Sequence, residues 1–245
     1  VLFVTPEIAP WIKTGGLGDV AGALPTAMRG AGVDVRVLVP YYPAMQRAFP
    51  DAPVIASFGG FGAHFDHSVL RETLTPEGLP LWLLDCRSCY DRPGNPYQGP
   101  DGLDWPDNHL RFALLSRIAA WLGSAASFLP WRPDILHCND WQTALAPAYL
   151  RLLSGGQARS VMTIHNLAFQ GLFNREMLPA LGLPESAWSM HGVEFYGYLS
   201  FLKSCLQFAD WITTVSPTYA REIQTDEEGM GLAGLLRHRG GRLPG

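Results

Sequence analysis

Charge is what this chain has least of. Only 16% of its 245 residues are Asp, Glu, Lys or Arg, against 47% hydrophobic, and the formal net charge is −4. A slightly acidic chain with no basic run offers no footing for a nucleic-acid or anionic-membrane partner. Cysteine is equally sparse. Cys86 and Cys89 form a lone C-x-x-C, and Cys138 and Cys205 stand far from it. One such pair without a second lacks zinc-site spacing, and Arg87-Ser88 followed by Tyr90-Asp91-Arg92-Pro93-Gly94 reads as a loop rather than the helix a redox motif opens. Reduced cysteines are expected, and with them the cytoplasm of a bacterium, or a plastid if the source is a plant. His64 and His67 have no third ligand beside them, so no metal and no cofactor is expected. No apolar run reaches the roughly 20 residues of a membrane span. Strand-like residues begin at Val1, so no signal or transit peptide is expected. With no initiator Met and a close on Pro244-Gly245, a fragment is expected.

What is present suits one large α/β domain. A low charge fraction fits a parallel sheet buried on both faces, and a chain of this length needs no covalent staples. Strands are expected at Val1–Thr5, Val33–Val39, Asp134–Cys138, Ser160–Ile164 and Trp211–Val215. A hairpin-like extension is expected over Val54–Phe58 and Phe65–Thr73, with Leu81–Leu84 rejoining the main sheet. Helices are expected at Gly18–Arg29, kinked or split after Leu24 by Pro25, and at Pro43–Phe49, Asn108–Phe128, Thr143–Leu153, Tyr198–Phe208 and Gly231–Arg239. Ser216-Pro217 reads as an N-cap and first helical residue. Arg92 to Asp107, with four prolines and three glycines, is a long loop, and loops of that length tend to be functional.

One stretch organises the rest. Lys13-Thr14-Gly15-Gly16-Leu17-Gly18-Asp19-Val20 lies between the first strand and the first helix. Strand, glycine-rich turn and helix together aim backbone N–H groups at an anion, and the helix N-terminus carries about half a positive charge. The spacing G-G-x-G is neither the dinucleotide fingerprint nor a P-loop, in which lysine follows the glycines. The second strand runs into Pro40-Tyr41-Tyr42 with no carboxylate for a ribose, which disfavours a nucleotide-dependent oxidoreductase. In open parallel sheets ligands bind beyond the carboxyl ends of the strands. Glu7 and Lys13, Asp140, His165 with Asn166, and Ser216 all follow strand ends, so a ligand site is expected there.

The chain resembles the bacterial glycogen synthases and plant starch synthases, ADP-glucose-dependent glucosyltransferases of the two-domain GT-B type. The resemblance rests on Thr5-Pro6-Glu7 with Lys13 to Val20, Tyr90 to Tyr97, Asp107-Asn108 with Arg111-Phe112, and Trp131 to Asp134. It continues through Asp140-Trp141, Thr163 to Gly171, His191-Gly192 and Thr214 to Ala220, all in family order. It implies an α/β Rossmann-like three-layer domain with a mainly parallel sheet and a β-hairpin extension, the N-terminal half of a GT-B fold, over residues 1–238. Residues 239–245 would begin the linker to a second Rossmann-like domain. It implies ADP-glucose as donor, held by Lys13, Gly15, Gly16, Gly18, Asp19, His165 and Asn166. It implies an α-1,4-glucan as acceptor (glycogen or starch), held by Glu7, Tyr97, Asp140 and Trp141, and transfer with retained anomeric configuration. Lys13, His165 and Asp140 would be catalytic. Glu7 has a second reading, as no more than a brace for the glycine loop.

Those residue types suit the reaction. A diphosphate leaving group needs positive charge and oriented donors where charge develops. Sugar faces are apolar and stack on rings such as Tyr97 and Trp141, while Asp140 accepts from hydroxyl rims. The absence of the basic second domain leads to the expectation that the fragment alone transfers almost nothing. The competing reading is a non-catalytic α-glucan-binding module derived from the same domain.

Overall fold

Short runs apolar on both faces, separated by helices, can be buried only as a sheet between two helical layers. The computed structural model of the chain, which describes residues 1–59 and 67–240, has that arrangement. Its strands are β1 (Leu2–Val4), β2 (Arg36–Pro40), β3 (Val54–Phe58), β4 (Ser68–Leu74), β5 (Pro80–Asp85), β6 (Ile135–Asn139), β7 (Arg159–Ile164), β8 (Leu172–Phe173), β9 (Glu194–Phe195), β10 (Tyr198–Ser200) and β11 (Trp211–Thr214). The helices are α1 (Gly16–Gly30), α2 (Pro43–Ala48), α3 (Arg87–Tyr90), α4 (Asn108–Leu122), α5 (Ala146–Leu152), α6 (Phe201–Phe208), α7 (Pro217–Glu222) and α8 (Ala233–His238).

The main sheet has the order β11-β7-β6-β1-β2-β5-β4-β3. From β11 to β5 every pair is parallel, and β4 runs antiparallel to both of its neighbours. Alternation along β1 and β2 sends Leu2, Val4 and Leu38 into one core and Phe3, Val37 and Val39 into the other. Residues of α4, α5 and α6 fill the first; Ala21 of α1 and Met45 of α2 belong to the second. The chain leaves β1 for β2 on one side and returns as β6 on the other. That reversal opens a crevice at the carboxyl ends of β1 and β6, where ligands of such folds bind. Among the described residues no helix is long and apolar enough to cross a membrane.

Several boundaries differ from the sequence expectation. The hairpin is the antiparallel edge of the main sheet itself rather than an appendage, and Phe65 and His64 lie outside the described residues. α1 runs through Pro25 unsplit: the missing N–H removes one intrahelical bond, and the buried ring offsets part of that loss. α4 ends at Leu122, because the next residue, Gly123, passes so close to Leu136 and Ala158 that a Cβ would sit 3.1 Å from each. Thr143 closes a 3-10 turn and α5 starts only at Ala146. Tyr198–Ser200 is a strand joining β8 and β9, and the helix begins after Ser200, whose hydroxyl accepts from the Lys203 N–H at 3.1 Å. The C-x-x-C does open a helical turn, α3, but all four cysteines are buried thiols outside any disulfide, and the hydrogen bond with Cys86 together with burial pushes Cys89 far above the ordinary thiol range. Such a thiol is inert. Ser216 caps α7 as expected, its hydroxyl accepting from the Tyr219 N–H at 3.0 Å.

Candidate functional site

The segment after β1 is built around a buried carboxylate. Glu7 is 2% exposed, and its two oxygens accept from the Thr14 N–H and the Thr14 hydroxyl, each at 2.6 Å. The Tyr97 hydroxyl also donates to Glu7. Glu7 therefore ties the glycine loop to the long loop that carries Tyr97. That loop is pinned in turn: Asn95 Oδ1 accepts from the Tyr97 N–H at 2.8 Å, and Asn108 at the start of α4 donates to the Tyr97 carbonyl at 2.9 Å. Beyond Thr14, Gly15 precedes α1 with no side-chain cap on the first amides. A Cβ on Gly15 or Gly16 would meet no protein atom within 4 Å, so packing does not demand glycine there; bare backbone is left facing open space.

That space is a cavity of about 760 Å³ at the carboxyl ends of β1, β6 and β7. Glu7, Gly15, Gly16, Tyr97, Asp140, Trp141, His165 and Asn166 all line it, so eight of the expected site residues converge. Asp140, directly after β6, has φ +55, a left-handed conformation rare for a side-chain-bearing residue. Its Oδ1 accepts from the His165 N–H at 2.8 Å, which joins the ends of β6 and β7. Protein surrounds the carboxyl densely although part of its surface opens to the cavity, and that desolvation pushes it up to about 7. Burial alone holds the His165 imidazole down at about 4, so the ring is neutral at physiological pH.

Asn139 decides which nitrogen of that neutral ring carries the proton. It is fully buried, and its Nδ2 lies 3.0 Å from the Val4 carbonyl and 3.3 Å from the His137 carbonyl. Both are acceptors only, so the amide must face them and Oδ1 must face His165 Nε2, at 3.1 Å. Nε2 is thereby the N–H, and Nδ1 is left as a bare acceptor. His165 is a group that can take a hydrogen bond from a hydroxyl, not a cation.

Three expected residues do not line the cavity. Lys13 forms an ion pair with Asp19 at 2.8 Å on the outer side, both side chains about half exposed, and its stem lies over Gly18. A Cβ on Gly18 would come within 3.0 Å of Lys13 Cγ, so the close approach of the lysine stem favours glycine there. Exposed pairs of this kind are worth only about 0–1 kcal/mol. Trp141 does line the cavity, but its ring is largely enclosed: Phe112 lies 5.1 Å away, Phe173 5.9 Å and Phe201 6.0 Å. Gly171, at φ +60, covers it so closely that a Cβ would fall 2.4 Å from the ring.

Other lining residues carry chemistry that motif reading passed over. Phe169 is an aromatic wall left 63% exposed, open to stacking where Trp141 is not. Gln142 is buried, and its Oε1 has no donor. An orphaned buried acceptor at a cavity wall calls for a ligand hydroxyl or a water. Glu7, Asp104 and Asp140 are the acids of the lining, and no lysine or arginine joins them. Acids, an aromatic face, an acceptor imidazole and an orphaned amide oxygen form a surface for polyhydroxylated rings. Among the described residues, the anion-binding element beside them is the uncapped start of α1.

Residues 1–238 match the profile described as the starch synthase catalytic domain. The chain is 60% identical to a glycogen synthase of Dechloromonas aromatica, over all of this chain and 50% of that protein. It is 54% identical to one of Aromatoleum aromaticum, over all of this chain and 49% of that protein. The chain thus spans about half the length of these relatives. Among solved structures it resembles the catalytic domain of starch synthase IV from Arabidopsis thaliana bound to ADP and acarbose. The TM-score is 0.80 at 29% identity, over 99% of this chain and 50% of that one.

Proposed function

Because the chain belongs to the starch synthase catalytic-domain family, we propose that it forms one wall of a glucosyltransferase cleft. The whole enzyme would move glucose from ADP-glucose to the non-reducing end of an α-1,4-glucan, with retention, in glycogen synthesis. The observation that carries this reading is the convergence of Glu7, Tyr97, Asp140, Gln142 and His165 on one cavity beside the bare amides of Gly15 and Gly16.

In this reading the start of α1 meets the diphosphate, His165 Nδ1 and Asn166 meet the donor sugar, and Asp140 accepts from a sugar hydroxyl between donor and acceptor. Phe169 offers a ring to the glucan, and Tyr97, held by Glu7, shapes the acceptor side. Lys13 can leave its exposed pair with Asp19 at little cost and turn to the phosphates. One charge-assisted hydrogen bond felt only in the transition state is worth about 1.5–3 kcal/mol, roughly 10- to 150-fold in rate. That is too little for a diphosphate leaving group, and the cavity lining supplies no basic side chain. We therefore place the missing positive charge on a second Rossmann-like domain joined through the segment beginning at residue 239. ADP as the nucleotide is supported by the Arabidopsis relative, and glycogen as product by the named relatives. Four buried reduced cysteines are in keeping with the cytoplasm.

Titration of this chain with maltohexaose, ADP and ADP-glucose tests the proposal. Maltohexaose should bind, about tenfold more weakly in Phe169→Ala, while ADP-glucose, which carries the donor sugar, should shift the His165 imidazole signals. ADP should bind weakly, and more weakly in Gly16→Val. Failure of all three ligands to bind at millimolar concentration would contradict the reading.

A further inference from the structure

A second cavity, of about 360 Å³, lies on the far side of the Arg92–Pro96 stretch, between that stretch, the start of α2 and α4. Two of its polar groups are unfinished. Tyr42 is 3% exposed, and its hydroxyl is buried without a hydrogen-bond partner. Arg111 is 1% exposed. Its Nε donates to the Cys89 carbonyl and its Nη1 to Asn108 Oδ1, each at 2.6 Å, while the Tyr90 and Phe112 rings flank the guanidinium. Among the described residues Nη2 has no acceptor, and no carboxylate lies within ion-pair distance of Arg111. Asp107 feels Arg111 electrostatically but makes its ion pair with Arg92, so the buried guanidinium has no direct partner of opposite charge, which is costly to a fold. At the rim stands Arg47, exposed and unpaired among the described residues. The other rim charges contribute little: Arg92 is neutralised by Asp107 at 2.6 Å, and Asp91 is a solvated acid.

We propose that this cavity binds a phosphate-bearing small molecule, its oxyanion held by Arg111, the Tyr42 hydroxyl and Arg47. The donors select the ligand class. With Nε and one Nη1 hydrogen committed, Arg111 has lost the side-on Nε–Nη2 fork that suits a planar carboxylate. What remains are donors from three separate side chains, which suit a tetrahedral oxyanion. The volume exceeds what a bare phosphate fills and sits at the lower end for small-molecule pockets, so the phosphate is a monoester of a compact metabolite. The site is distinct from the glucosyltransferase cavity, and Asn95 lines both.

Calorimetric titration with inorganic phosphate and with methyl phosphate, at fixed ionic strength, tests this, with acetate as the planar control. Because the Tyr42 hydroxyl has no protein partner, Tyr42→Phe should keep the wild-type Tm without ligand and bind phosphate about tenfold more weakly, the loss of one charge-assisted hydrogen bond. Arg47→Ala, on the surface, should weaken it as well without touching the core. Acetate should bind at least tenfold more weakly than phosphate. Wild-type affinity in both variants would show the anion sitting elsewhere, at the start of α1 for instance, and would overturn the proposal. So would acetate equal to phosphate, or no phosphate binding at tens of millimolar.

Discussion

Replacing Asp140 with asparagine should make the protein more stable, and increasingly so as pH rises. Burial pushes the Asp140 carboxyl up to about 7 in the fold, against about 3.9 in an unfolded chain. A group whose pKa is raised on folding stabilises below its unfolded pKa and loses that contribution as pH rises through the folded one. At pH 8 the ionised, desolvated carboxylate costs the fold up to about 4 kcal/mol, three units at about 1.4 kcal/mol each; at pH 5 the cost is about 1.5. The cavity mouth admits solvent, so about half of each figure is the working expectation. Asparagine keeps the acceptor that the His165 N–H uses at 2.8 Å, and the backbone cost of φ +55 with ψ −180 is one that Asp140 already bears, so it cancels in the comparison. Urea unfolding of both proteins at pH 5 and pH 8 should therefore show a stability gain for Asp140→Asn that grows by about 1–3 kcal/mol between the two. A gain independent of pH, or a loss at pH 8, would refute the reasoning. The same substitution should cost transfer activity, which would make Asp140 a carboxylate kept at the expense of stability.

The histidines act on the acid side: His165 and the half-buried His137 are both held at about 4, so the stability they lend above about 6.5 should drain away as pH falls towards 4, and an unfolding profile flat across that window would deny it. Long-range 15N–1H spectra of histidine-labelled protein at pH 7 should show His165 protonated on Nε2, with Asn139→Ala mixing the tautomers; an Nδ1–H signal in the wild type would contradict the role given to Asn139. Tyr97→Phe removes a hydrogen bond to a buried carboxylate and should cost about 1.5–3 kcal/mol, read by urea unfolding. In the enzyme it should also raise KM for glucan more than it lowers kcat, and unchanged kinetics would remove Tyr97 from the acceptor side.

Strand ends were readable in the sequence because apolar runs stop there and polar residues begin, and this alone brought Glu7, Asp140 and His165 to one crevice. The Ser216-Pro217 cap was readable because capping is local chemistry. What sequence could not convey was side-chain direction. Lys13 stands beside the glycines in the chain yet turns outward to Asp19, and Trp141 is enclosed by Gly171 and three phenylalanines contributed by distant segments. Asn139 looks like one more polar residue at a strand end; its importance rests on the Val4 and His137 carbonyls, which only the packed sheet brings to it. Sequence alone starts α6 at Tyr198 for a related reason, since the strand Tyr198–Ser200 exists only through pairing with β8 and β9.

We have proposed that this cavity is the sugar-side wall of an ADP-glucose-dependent glucosyltransferase. The decisive assay is incorporation of labelled glucose from ADP-glucose into glycogen, using this domain within a protein of the length of its relatives. Transfer is expected in the wild type, with a loss of at least about tenfold in both Asp140→Asn and His165→Ala, and weak transfer from UDP-glucose. Glucan binding without any transfer, or transfer that both substitutions leave untouched, would contradict it.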